Sequence, residues 1–234
     1  MCLGVCLALI CQPAFAIPPA KVRLFILSGQ SNMVGLNPDV SFTPALKKAF
    51  PNDEVIVVKH AEGGQPIRRW YKAWKAPARA ELKAVKQKPG DIYDALMARV
   101  KLAIQGKTAD TIIFVWMQGE RDAREGLSGV YAEALNGLTK QLRDDLKRPD
   151  VAVVIGRLSD YHKGDKHWDA VRAAQEKVAG DDSRAAWVDT DDLNGPKDDL
   201  HYTKEGYEEL GRRFAAKAAE LVSKLDTGRR DPSR

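Results

Sequence analysis

Residues 24–35 read LFILSGQSNMVG: a run of bulky apolar side chains ends near Ser28 and gives way to small polar residues around Ser31. A short, continuously apolar segment suits a strand buried on both faces of a parallel sheet. The polar stretch after the strand has two readings. Gly, Ser and Asn are ordinary turn residues, so Gly29-Gln30-Ser31-Asn32 either closes a plain turn or delivers one hydroxyl to a crevice. The rest of the chain decides between them.

Four more segments share the character of 22–27: residues 54–59, 111–117, 151–157 and 185–189 are β-branched or continuously apolar. Amphipathic stretches near 91–105, 130–146, 168–178 and 204–225 alternate with them. In the last stretch Tyr207, Leu210, Phe214, Ala218, Leu221 and Leu225 recur at spacings of three and four, a core-facing stripe. Strands alternating with helices imply right-handed crossovers and a parallel sheet covered on both faces. The predicted fold is therefore α/β, a three-layer α/β/α sandwich around a five-stranded parallel sheet. In such sheets ligands bind outside the carboxyl ends of the strands, so chemically important residues should come directly after strands.

The bulk composition narrows the partners. At 234 residues the chain reads as one domain, with 44% hydrophobic and 29% charged residues and a net charge of +5. Basic and acidic residues alternate, so no nucleic-acid footprint is expected. Residues 1–16, MCLGVCLALICQPAFA, are uncharged and apolar and end in Ala-Phe-Ala, the pattern of an export signal, though no basic residue precedes the apolar stretch. They are too few to span a bilayer, so no membrane span is expected in the mature chain, and a periplasmic or extracellular location is. Cys2, Cys6 and Cys11 all lie in this segment, and cleavage after Ala16 would leave no disulfide framework, thiolate metal site or cysteine nucleophile. The domain is then expected over 17–225, with 226–234 as a polar tail. No cofactor and no metal site are expected. Residues 61–90 form a long connection rich in Gly, Pro and Trp, and a loop of that length is functional or poorly ordered.

Each predicted strand leads into a polar cluster: Gly29-Gln30-Ser31-Asn32, Glu62-Gly63-Gly64-Gln65, Gln118-Gly119-Glu120-Arg121-Asp122, Arg157-Leu158-Ser159-Asp160, and a loop with Asp198 and His201. Any one is weak, but together they suit acyl transfer. A serine hydroxyl needs a neighbouring base, and histidine titrates in the right range. Ser31 is the candidate nucleophile and His201 the candidate base. Asp198, three residues earlier, is its candidate orienting carboxylate, with Asp199 the alternative. The other histidines, at 60, 162 and 167, have no Asp three positions before them. The backbone amides of Ser31 and Gly64 and the side-chain amide of Gln118 are candidate oxyanion donors. Glu120 and Asp122 are expected mainly to brace the rim with Arg121.

The clusters Gly29-Gln30-Ser31-Asn32-Met33, Gly63-Gly64 with Pro66-Ile67 and Trp70, Trp116-Met117-Gln118-Gly119-Glu120 with Asp122, and Asp198-x-x-His201 occur in an order that resembles the SGNH (GDSL-like) hydrolases. The branch they resemble is that of sialate O-acetylesterases and carbohydrate esterase family six, and the likeness runs from about Val22 to Leu225. The resemblance implies a flavodoxin-like sheet and removal of acetyl groups from sugar hydroxyls through a serine acyl-enzyme, without a cofactor. It implies the same roles for Ser31, His201, Asp198, Gly64 and Gln118. Arg121 stands where many members have serine, and Gln65 where threonine is common, so sugar specificity does not carry over.

Arg68, Arg69, Trp70, Tyr71 and Trp74 fall within seven residues. Aromatic rings stack on sugar faces and guanidinium forks bind carboxylate or sulfate, which suits an acetylated and even an acidic carbohydrate. Gln30, Arg68, Trp70, Glu120 and Arg121 are accordingly the candidate substrate contacts. The spacing of Trp70 and Trp74 also fits the buried side of a short helix. Two other functions fit the same residues: an esterase or thioesterase of broader acyl range, and a carbohydrate-binding protein on a silent scaffold. Oligomeric state is not legible.

Overall fold

A computed structural model describes residues 20–77, 88–196 and 199–228. Five strands, β1 (Val22–Gly29), β2 (Glu54–Ala61), β3 (Thr111–Met117), β4 (Ala152–Gly156) and β5 (Ala185–Val188), form one all-parallel sheet in the order β2-β1-β3-β4-β5. Helices α1 (Ser31–Gly35), α2 (Phe42–Ala49), α3 (Asp91–Ala103), α4 (Glu120–Arg124), α5 (Tyr131–Leu146), α6 (Lys166–Asp181) and α7 (Lys204–Gly228) complete the three-layer α/β/α sandwich. The expected segments are all present, with ends shifted by a few residues. Helices α1, α2 and α4 were not expected, because five to eight residues carry too little periodicity to stand out. Residues 1–16 lie outside the described residues, as do 229–234 of the tail.

Successive side chains of a strand point to opposite faces, and β1 shows how this builds the layers. Leu24 and Ile26 pack with Leu96 of α3, Leu138 of α5 and Val171 of α6. Phe25 and Leu27 pack with Leu46 of α2 and with Leu210 and Phe214 of α7. Strands β1, β3 and β4 are buried on both faces, as continuous apolarity predicts. Strands β2 and β5 are only half-buried, because the topology puts them at the sheet edges. Sequence does not show which strand is an edge.

The amino-terminal end of the sheet is held by charge. Arg23, only 3% exposed, donates to Asp53 (2.8 Å), Thr111 (2.8 Å) and Asp226 (2.7 Å), and Lys21 adds a 2.9 Å ion pair to Asp226. Helix α7 thus runs past the expected end at Leu225, and Asp226 is part of the fold. Burial works against the Asp226 carboxylate, but the hydrogen bonds and charges of Arg23 and Lys21 prevail and hold it down at about 2. A depressed carboxyl pKa contributes stability above the unfolded value, and that contribution is lost as pH falls toward the folded one. Asp226→Ala should therefore lower unfolding free energy by about 2 kcal/mol at pH 7, less than for a fully buried pair because Arg23 keeps Asp53. Urea titrations should show the gap to wild type closing as pH approaches 2.

Candidate active site

In the order β2-β1-β3-β4-β5 the chain winds outward in one direction from β1 to β2 and in the other from β3 onward. The crevice between the carboxyl ends of β1 and β3 is the ligand site of such a sheet. Here the two ends touch. Gly29 has φ 146° and a Cβ there would lie 1.9 Å from the Met117 carbonyl oxygen, so only glycine fits. One residue on, the Gln30 amide donates to that same oxygen at 2.9 Å. Gly119, φ 147°, makes the matching bend after β3, where a Cβ would meet Val171 at 2.7 Å.

Ser31 is set at the lip of a crevice of about 270 Å³ that it shares with His201. Gly63 and Gly64 form one side, and a Cβ on Gly63 would be 3.8 Å from that of Ser31. Glu120, Arg121 and Arg124 of α4 form the other side. A larger cavity of about 600 Å³ opens beside α7, lined by Val40 and Tyr207, but neither Ser31 nor His201 borders it.

Beneath the crevice lies a buried polar floor. Asn32 donates through Nδ2 to Glu120 Oε1 (3.1 Å) and to the Leu200 carbonyl (3.2 Å), while its Oδ1 accepts from the Tyr207 hydroxyl (3.1 Å). One carboxamide therefore joins the Ser31 turn, α4, the His201 loop and α7. Gln118 is the second hub. Its Nε2 lies 2.6 Å from Asp122 Oδ2, 3.1 Å from the Gln65 carbonyl and 3.2 Å from Gln30 Oε1. Its own carbonyl accepts from Tyr131 (2.7 Å) and Gln175 (2.8 Å). Asp122 also receives the Ile67 amide at 2.9 Å, which fastens the loop after β2 to α4.

Two carboxyls in this floor are strongly perturbed. Burial pushes Glu120 up to about 7, against hydrogen bonds from nearby amides and Asn32. Burial likewise pushes Asp122 up to about 6, against Gln118, the Ile67 amide and Arg68. Glu120 Oε2 has no hydrogen-bond partner among the described residues.

The predicted site residues separate into two groups. Ser31, Gly64, His201, Gln30, Glu120 and Arg121 border the crevice. Gln118 is fully buried beneath it, and Arg68 and Trp70 point into the protein instead of the crevice. Arg68 pairs with Glu125 at 2.6 Å, and Trp70 Nε1 donates to Ser28 Oγ at 2.8 Å while its ring packs edge-on against Trp116. The substrate contacts expected of Arg68 and Trp70 are corrected accordingly: the 3-10 turn Ile67–Arg69 and the residue after it carry both inward, where Glu125 pairs with Arg68 and the Ser28 hydroxyl accepts from Trp70. Asp198 lies outside the described residues. No hydrogen bond joins Ser31 Oγ to His201 among the described residues; both border the crevice. Arg124, Asn32 and Tyr207 were not among the candidates, although Arg124 falls four residues after Glu120 and so on its helix face. Among the described residues no group of three His, Cys, Asp or Glu side chains could hold a metal ion.

Comparison with known proteins matches residues 34–220 to the family model of the carbohydrate esterases, sialic acid-specific acetylesterase. The chain belongs to that family. A probable carbohydrate esterase of Arabidopsis thaliana, At4g34215, is 25% identical over 185 residues, 77% of this chain and 62% of that protein, so the chain spans about three-fifths of its relative's length. The solved structure of the Arabidopsis protein superposes with a TM-score of 0.65 at 22% identity, over 88% of this chain and 99% of that one. A carbohydrate acetylesterase of Xanthomonas citri, XAC1771, gives 0.64 at 18% identity, over 87% and 57%. At these identities the superpositions establish a common fold.

Two measurements probe the floor. A raised carboxyl pKa costs stability as pH rises from the unfolded value to the folded one, and glutamine removes that cost. Glu120→Gln should thus gain on wild type between pH 4.5 and about 7, by on the order of 2 kcal/mol in urea unfolding. Asn32→Ala should lower stability by about 1–3 kcal/mol, since it strands Glu120, the Leu200 carbonyl and Tyr207. Hydrogen exchange in that variant should quicken at 199–203 more than in β3.

Proposed function

We propose that this protein is a serine esterase that removes O-acetyl groups from carbohydrate, polysaccharide or sialic-acid-type, through an acyl-enzyme. The observation that carries the reading is the meeting of Ser31 and His201 on one crevice at the sheet's switch point, although 170 residues separate them in sequence. Family membership supports the same reaction class.

In this reading Ser31 Oγ attacks the acetyl carbonyl while His201 takes its proton, and Asp198 orients the imidazole. The backbone amides of Ser31 and Gly64 receive the oxyanion. Neither makes a hydrogen bond among the described residues, and both border the crevice. Gln118 would add a third donor only by turning an amide hydrogen away from the three acceptors that now crowd it; in its present position it holds the glycine loop through the Gln65 carbonyl. Collapse of the tetrahedral adduct expels the sugar hydroxyl with the proton from His201. Water then attacks the acetyl-serine by the same base, releasing acetate. Serine–histidine contacts in empty sites are often long and tighten when substrate binds.

Family membership supports acetyl as the group removed. Export, with the substrate outside the cytoplasm, is part of the proposal and rests on residues 1–16. Among the described residues no helix is long and apolar enough to cross a membrane.

Ser31→Ala should reduce acetate release from an aryl acetate and from acetylated glycans by at least about 10³-fold with folding intact. Wild type should prefer aryl acetate to aryl octanoate. Normal turnover by Ser31→Ala would refute the nucleophile assignment. Preference for octanoate would favour the broader esterase.

A further inference from the structure

A second basin of about 250 Å³ adjoins the crevice. The two share a wall, with Glu120 and Arg124 bordering both. One wall is α4, where positions 120, 123 and 124 lie on a single helix face. The opposite wall comes from the loop after β4 and the start of α6, with His162, His167 and Trp168. Each cavity alone is smaller than the roughly 300–1,000 Å³ of a typical ligand pocket. A ligand that extends past the shared α4 wall would meet both.

The chemistry of the basin is specific. Other guanidinium groups near the crevice are engaged: Arg68 and Arg121 both pair with Glu125 at 2.6 Å, and Arg69 pairs with Asp91 at 2.6 Å. Arg124 is exposed and makes no hydrogen bond or ion pair among the described residues. Across from it His162 is exposed, packed by ring contact against Tyr161 (4.2 Å) and Trp168 (5.3 Å), with both ring nitrogens unengaged among the described residues. His167 is fixed through Nδ1 to Ser128 Oγ at 2.9 Å. The basin's exposed acid, Asp165, is turned to its own helix, accepting from the His167 and Trp168 amides at 2.9 and 2.8 Å. An open guanidinium facing imidazoles and a ring edge offers donors and an apolar surface together. A neutral sugar would not use the guanidinium fully, whereas a carboxylate would.

We propose that this basin is a second sugar subsite, which takes the residue next to the acetylated one in an oligosaccharide and selects a carboxylate-bearing sugar there through Arg124. The inference rests on the acetylesterase reading for the place of the acetylated ring, but the subsite itself can be tested without turnover.

The test uses the full chain and two variants, Arg124→Gln and His162→Glu, the latter placing a like charge in the basin at an exposed position. Calorimetry with de-acetylated tri-galacturonate and with neutral xylotriose should show wild type favouring the acidic trimer. Either variant should weaken tri-galacturonate at least tenfold and xylotriose less than threefold. In parallel, the ratio of kcat/KM on an acetylated oligogalacturonide to that on aryl acetate should drop at least tenfold in both variants, chiefly through KM. Wild type binding the two trimers equally, or variants binding tri-galacturonate as wild type does, would overturn the subsite. Acidic-trimer binding lost in the variants but no acetate release by wild type would uphold the subsite and defeat the esterase reading instead.

Discussion

The carboxyl ends of β1 and β3 are in backbone contact, with no space for even a methyl group at Gly29 against the Met117 carbonyl. That contact sets where the turn bearing Ser31 begins. It forces β1 to end there, lets the Gln30 amide take up the Met117 oxygen, and starts α1 on Ser31. A bulkier residue at 29 would part the two strands at the point where the sheet's winding reverses, and the crevice would lose its base.

Around that contact the protein places polar side chains where an apolar core would be simpler. Asn32 and Gln118 are 2% and 0% exposed, and each links three or more segments distant in sequence. Buried networks of this kind specify one arrangement when every member is satisfied. Among the described residues this one is satisfied except at Glu120 Oε2, a buried atom of a residue that borders the crevice. Burying two carboxyls, Glu120 and Asp122, works against stability near neutral pH. At the opposite end of the sheet the Arg23–Asp53–Asp226 cluster has the contrary character, with a carboxyl held well below its usual range. Paired charges stabilise one end of the sheet, and buried carboxyls lower stability at the other, a division expected where a site is built on a stable scaffold.

The loop after β2 illustrates a different constraint. Its arginines and tryptophan look, in sequence, like a surface for sugars. In the fold Arg68, Arg69 and Trp70 are each less than 10% exposed and fasten the loop to Glu125, Asp91 and Ser28. The aromatic and cationic side chains hold the glycine pair beside Ser31, and the open cation belongs to α4.

By itself the sequence determined the number and kind of the main elements, because strands buried on two faces need unbroken apolar runs and long helices need a periodic stripe. It also pointed to Ser31 and the glycine pair, which follow strands closely, and to His201 in the loop beyond β5, since the loops after the strands of a parallel sheet share one rim. Which strands are edges, and which way each polar side chain faces, emerged with the packed fold. Direction along a short turn, as at Arg68, Trp70 and Gln118, depends on partners tens of residues away. Asn32 reads as a turn residue until Leu200 and Tyr207, some 170 residues later, arrive at its carboxamide. Local patterns carry periodicity and position after a strand; they carry no information about long-range hydrogen-bond partners, and those partners settle which residues lie in the buried floor and which border the crevice.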